Sequence, residues 1–158
     1  MPEAAFGIKY LPMLAKLPTV GRGDALLVLC RLHALNIRYI RFQWVDYTNI
    51  TRTRIIPLPA FFELLEASRP GVGITKAALG IVGTTISPGF SSTGEYLLTP
   101  DLSSIRICAY SPGHASLMGW FEEKSPINKQ VGQDTSDSDL EAPLCPRGLL
   151  RGIVKCVA

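Results

Sequence analysis

Three carboxylates, Asp46, Glu95 and Asp101, fall near the ends of segments patterned as strands. Acids so placed can converge on a site for proton transfer or for holding a cation. Three acids on three turns are equally what a solvated sheet edge carries. Four arginines, Arg38, Arg41, Arg52 and Arg54, stand against Asp46 alone over residues 38–54, so an anion or nucleic-acid face is conceivable there. The aromatics beside them, Phe42 and Trp44, are expected on the opposite, buried face, which weakens a base-stacking platform. The histidines are His33, in an apolar segment, and His114, in Pro112-Gly113-His114. With no second histidine nearby, His33 reads as a core-edge residue rather than a ligand. No G-x-S-x-G, H-E-x-x-H or phosphate-loop motif occurs, and the glycines of 71–94 fit neither nucleotide fingerprint.

Composition narrows the classes further. The chain has 158 residues, 47% apolar side chains and a net charge of +3. That length suits one domain with a core of its own, and the charge is too small to announce a nucleic-acid binder. No apolar run approaches the ~20 residues a membrane helix needs. Pro12, Pro18, Lys9 and Lys16 interrupt any secretory leader. Cys30, Cys108, Cys145 and Cys156 are scattered without a C-x-x-C pair, which predicts free structural thiols in a cytoplasmic protein and no membrane partner.

The elements that must position these residues follow from periodicity. After an irregular leader over 1–21, residues 24–35 read as a helix with Asp24 as N-cap and Asn36 at the left-handed stop. Residues 37–45 switch to a period of two, with Ile40, Phe42 and Trp44 on one face. A turn over 46–49 leads to a second strand over 51–56, making a hairpin. Pro57 and Pro59 open a helix over 60–67 whose inner face is Phe61, Leu64 and Leu65. Glycines cut 72–92 into an irregular loop, apart from a short strand or helical turn near 77–82. Strands over 94–99 and 104–110 flank a turn at Pro100–Ser103, with Ile105, Ile107 and Ala109 alternating against Arg106, Cys108 and Tyr110. Residues 115–121 supply one more strand. Residues 125–143 are acidic and poor in apolar side chains, the pattern of a disordered linker, and 146–157 regain helical periodicity. The fold class is α+β: a mixed sheet of four to five strands with a helix across one face, preceded by a helix and followed by that acidic linker.

Three segments carry a family resemblance: Tyr39 to Thr48 (YIRFQWVDYT), Gly94 to Ser104 (GEYLLTPDLSS) and Pro112 to Phe121 (PGHASLMGWF). In order and spacing they resemble the N-terminal β-grasp domain of the glutamine synthetase family, nearest the fungal FluG-like type. Cys145-Pro146-Arg147-Gly148-Leu149-Leu150 is similar to the opening of that family's first catalytic-domain helix. The resemblance implies 37–124 as the β-grasp domain and 144–158 as the start of a catalytic-domain helix, which leaves 1–36 as leader and helix and 125–143 as the flexible linker read from composition. It also implies an ATP- and Mg-dependent ligation of ammonia or an amine to the glutamate γ-carboxylate in a complete member. There the active site lies between one subunit's β-grasp domain and its neighbour's catalytic barrel. By position, Glu95 corresponds to an acid lent to the neighbour's site. A second such acid, an Asp in a D-G-S-S type loop that holds ammonium, has no clear counterpart in Gly89-Phe90-Ser91-Ser92-Thr93-Gly94.

These residues encode no carboxylate cluster or cationic clamp of the kind that phosphoryl transfer requires. The expectation is therefore a truncated, β-grasp-only protein of this family, without catalysis, cofactor or metal of its own. The alternatives are a module assembling with glutamine synthetase-like subunits in a homo- or hetero-oligomer, and an anion or nucleic-acid binder using the hairpin arginines.

Overall fold

The computed structural model describes residues 8–10, 22–124 and 140–157. In chain order the elements are β1 (Ile8–Tyr10), α1 (Arg22–Ala34), β2 (Tyr39–Val45), β3 (Thr51–Pro57), α2 (Leu58–Glu66) and β4 (Val72–Thr75). A 3-10 turn (Lys76–Leu79), β5 (Ile81–Val82), β6 (Thr85–Ile86), β7 (Glu95–Cys108), β8 (His114–Glu123) and α3 (Pro146–Val157) complete them. The chain divides into two compact units. The first takes residues up to Trp44, Thr53–Pro70 and Pro100–Gly119; the second takes Val45–Arg52, Gly71–Thr99 and Trp120 onward. Strands β7 and β8 run from one unit into the other.

The first unit is a mixed sheet under two helices. The sheet's strand order is β1-β7-β8-β2-β3, and β4, a strand of the second unit, pairs with β7 off that path. β1 lies antiparallel to β7, Ile8 opposite Cys108, and β2 lies parallel to β8, Tyr39 opposite His114. The expected alternation holds along β2, where Ile40, Phe42 and Trp44 are buried and Arg41 and Gln43 only half so. Helix α1 starts at Arg22, two residues before the expected Asp24, and buries Val28 and Leu32 completely. Asn36, at φ 55°, ends the turn, and the Ile37 N–H donates back to the Leu32 carbonyl. That bond satisfies a carbonyl the helix leaves free. α2 starts at Leu58 rather than 60, so its inner face is Leu58, Phe61 and Leu65, with Leu64 half-buried. Phe42, Phe61, Leu32, Ile40, Ile105 and Leu117 are all sealed from solvent and form this unit's core. Each contributes roughly 1.5–3 kcal/mol by burial.

One expected hairpin is not a hairpin. Residues 94–99 and 104–110 do not flank a reversal at Pro100–Ser103; β7 is one strand of 14 residues. The turn-forming side chains make their local bonds within it. Asp101 Oδ1 accepts from the Ser103 N–H at 3.2 Å and from its hydroxyl at 2.5 Å, and the Ser104 hydroxyl donates to the Asp101 carbonyl at 2.6 Å. Ser104 Oγ also accepts the Met118 N–H at 2.8 Å. A side-chain oxygen thus accepts an amide of the neighbouring strand, and the strand is offset rather than reversed. Burial consequently falls on Leu102, Ile105 and Cys108, three residues apart, instead of alternating through Ile107 and Ala109.

In the second unit, β4 pairs antiparallel with the first half of β7, Val72 opposite Leu98 and Thr75 opposite Glu95. The short strand or helical turn expected near 77–82 is present as the 3-10 turn and β5, while the irregular loop expected over the rest of 72–92 is corrected to β4 and a small β5–β6 hairpin. Gly73 and Gly80 clear space for close neighbours, whereas Gly83 and Gly89 supply positive φ at turns. A Cβ at Gly80 would meet the Phe90 ring at 2.2 Å. Of the expected linker 125–143, residues 125–139 lie outside those described, as does most of the leader over 1–21. Glu141 forms a β-bridge with Glu122, and Ala142 and Cys145 are buried.

Candidate functional site

Strand alternation sorts the charges at the start of β7 and the end of β8 into two sets. Along β8 the inward positions are Ala115, Leu117, Gly119, Phe121 and Glu123, so a carboxylate continues an otherwise apolar face. Buried Glu123 requires a partner, and Lys76 Nζ donates to both its oxygens at 3.0 Å while lying 4.5 Å from the Tyr96 ring centroid. Burial, partly offset by the Lys76 charge, raises the Tyr96 hydroxyl above the usual phenol range. Tyr96 packs on Phe121 at 5.9 Å between ring centroids.

Glu95, the expected site acid, precedes Tyr96 and its side chain stays half exposed. Lys124 Nζ donates to Glu95 Oε2 at 2.5 Å. Gly73 supplies the clearance: a Cβ there would stand 3.1 Å from Glu95 Oε2. An exposed pair of this kind contributes little to stability, so the carboxylate can exchange its lysine for another cation at small cost.

Asp46 and Asp101 do not join Glu95. Asp46 organises the β2–β3 turn, its side chain wholly buried. Oδ1 accepts from the Thr48 N–H (2.9 Å), the Thr48 hydroxyl (2.6 Å) and the Ile50 N–H (3.0 Å), and Oδ2 from Arg52 Nε at 2.7 Å. Burial alone would raise its pKa, but the bonds from Thr48, Ile50 and Arg52 outweigh it and hold the carboxyl at about 2. Arg52 Nη2 donates onward to the Ile81 carbonyl at 3.3 Å. Arg52 is thus tied into a turn and does not extend a free arginine face. Asp101 is engaged in the β7 offset.

Among the described residues no three His, Cys, Asp or Glu side chains come together to hold a metal ion. All four cysteines are free, Cys108 and Cys145 buried, Cys30 and Cys156 exposed. Cys145 Sγ accepts the Phe121 N–H at 3.1 Å and the Gly148 N–H at 3.3 Å, which caps α3.

Helix α3 sets its arginine side against Trp120. Arg147 and Arg151 lie 5.8 and 5.3 Å over the Trp120 ring, and Arg151 bonds Glu141 at 3.1 Å. The opposite stripe, Leu149, Leu150, Ile153, Val154 and Val157, is 50–83% exposed. Periodicity places the helix but not which way its apolar stripe faces, because it gives a stripe and not its orientation. It also missed the Lys76–Glu123 pair. Continuing the alternation past Phe121 to Glu123 was the available signal.

No helix among the described residues is long and apolar enough to cross a membrane, and no protein-family model matches the chain. Protein fluG of Emericella nidulans is 28% identical over 89 residues, 56% of this chain and 10% of that protein. Among solved structures, a GmaS/ADP complex superposes with a TM-score of 0.59 at 16% identity, over 81% of this chain and 24% of that one. GmaS without ligand gives 0.58 at 16% identity, over 80% and 25%. These two likenesses show a shared fold. A novel glutamine synthase homolog gives 0.55 at 26% identity, over 75% of this chain and 26% of that one. The chain thus spans about a tenth of the curated relative and about a quarter of each solved one. The likeness to fluG and the fold shared with a glutamine synthase homolog converge: this chain resembles a FluG-like N-terminal domain of the glutamine synthetase family.

Proposed function

We propose that this polypeptide acts as the N-terminal domain of a glutamine synthetase-type ligase and is not catalytic by itself. It docks onto a glutamine synthetase-like catalytic portion that supplies the metal- and nucleotide-holding groups. The observation that carries this is the outward apolar stripe of α3. Five large aliphatic side chains on one exposed helix face are what an interface presents before its partner arrives. In the assembled enzyme Glu95 would face the partner's site, giving up its exposed pair with Lys124 for contacts there. The ligation itself, an amine attacking an activated glutamate γ-carboxylate, follows the family. A cytoplasmic setting fits four unpaired cysteines.

The test is γ-glutamyl hydroxamate formation with ATP and Mg²⁺. The chain alone is expected to give the blank rate. Adding a FluG-type catalytic portion stripped of its own N-terminal domain should restore turnover, and Glu95→Gln should lower that turnover by roughly 10²-fold. Turnover by the chain unaided, or no gain on mixing, contradicts the proposal.

A further inference from the structure

In the first unit, two guanidinium groups and an imidazole gather on the turn between β7 and β8. Arg38 lies against Gly113, where a Cβ would stand 3.4 Å from Arg38 Nε and where φ is +81°. Glycine therefore serves both the backbone and the arginine. Arg41 Nη2 donates to Ser111 Oγ at 3.3 Å, and its guanidinium sits 5.5 Å from the Tyr110 ring centroid. His114 stacks on Tyr39 with ring centroids 5.0 Å apart.

The positive charge here is uncompensated. Neither Arg38 nor Arg41 forms an ion pair among the described residues. Burial first, then the charges of Arg41 and Arg38, depress the His114 pKa, so the charges acting on it are positive. Arg41 Nε and His114 Nδ1 are also shut from solvent without hydrogen-bond partners. Like charges gathered around half-buried groups with unused bonding capacity oppose folding. A bound anion would relieve both costs. An open cleft at the end of α1, lined by His33, Asn36, Arg38 and Gly113, leaves Arg38 accessible.

We propose that Arg38, Arg41 and His114 form a binding site for a phosphate-type oxyanion. This site is separate from the ligase reading, since it requires no partner and does not involve Glu95 or α3. The oxyanion could be free phosphate or the phosphate of a nucleotide, which present the same chemistry to two guanidiniums.

The experiment follows the His114 ring resonances of the full chain by NMR while inorganic phosphate is added at constant ionic strength. A saturable shift is expected, with the His114 pKa rising on binding because an adjacent dianion favours imidazolium. Arg41→Gln and Arg38→Gln should each weaken binding by roughly tenfold. AMP saturating at lower concentration than phosphate identifies a nucleotide source, and equal concentrations identify free phosphate. Absence of a saturable shift with either ligand in the unmodified chain overturns the proposal, whatever the variants do. So does undiminished affinity in a folded Arg38→Gln/Arg41→Gln double variant.

Discussion

Asp46 shows how a single buried carboxylate can look catalytic and be structural. Its pKa is lowered from 3.8 to about 2 because four donors outweigh its burial. A depressed folded-state value stabilises the protein above the unfolded pKa, and that contribution is lost as pH falls from about 4 through about 2. The difference amounts to about 2 kcal/mol. Urea melts of the wild type should therefore lose this increment between pH 5 and pH 2, while Asp46→Asn should start lower and lose less. An acid transition unchanged by Asp46→Asn would remove the turn from the account. Glu95 presents the opposite case. Its lysine partner is exposed, so Lys124→Ala should change thermal stability by less than ~1 kcal/mol. Glu123, almost wholly buried against Lys76, should cost about 3 kcal/mol as Glu123→Ala in the same melts.

At the scale of elements, β7 depends on a side chain standing in for backbone. Ser104 Oγ accepts the Met118 N–H, so Ser104→Ala leaves that amide without an acceptor and should cost about 1–3 kcal/mol in denaturant midpoint. A neutral substitution would mean that water or backbone fills the gap. The same residues explain what sequence patterning could reach. β2 was legible because its alternation is unbroken and each inward residue is large and apolar. So were α1 with its Asn36 stop and α2 with its opening prolines. The Pro-Asp-Leu-Ser run was misjudged because its turn-type hydrogen bonds do form, yet the strand continues through them. The 72–92 segment hid its strand because Gly73 and Gly80 give no periodic signal, and the reason for each lies in Glu95 and Phe90, distant in sequence. For the candidate site, Glu95 was placed by resemblance, whereas Arg38, Arg41 and His114 meet only through the parallel pairing of β2 with β8.

At the scale of the whole molecule, the central feature is a helix with two arginines over the Trp120 ring and its aliphatic side chains exposed on the opposite face. Such a surface is costly in water and becomes favourable when covered. Cys145 fixes the helix start, so Cys145→Ala should loosen α3 by about 1 kcal/mol, seen as faster amide exchange over 146–150, without disturbing β2. The most direct measurement of the central claim is hydrogen–deuterium exchange of this chain with and without a FluG-type catalytic portion. Exchange over 149–157 should slow on mixing, and Leu150→Asp with Ile153→Asp should abolish both that protection and co-migration on size exclusion. Unchanged exchange across α3 in the presence of excess catalytic portion would contradict it.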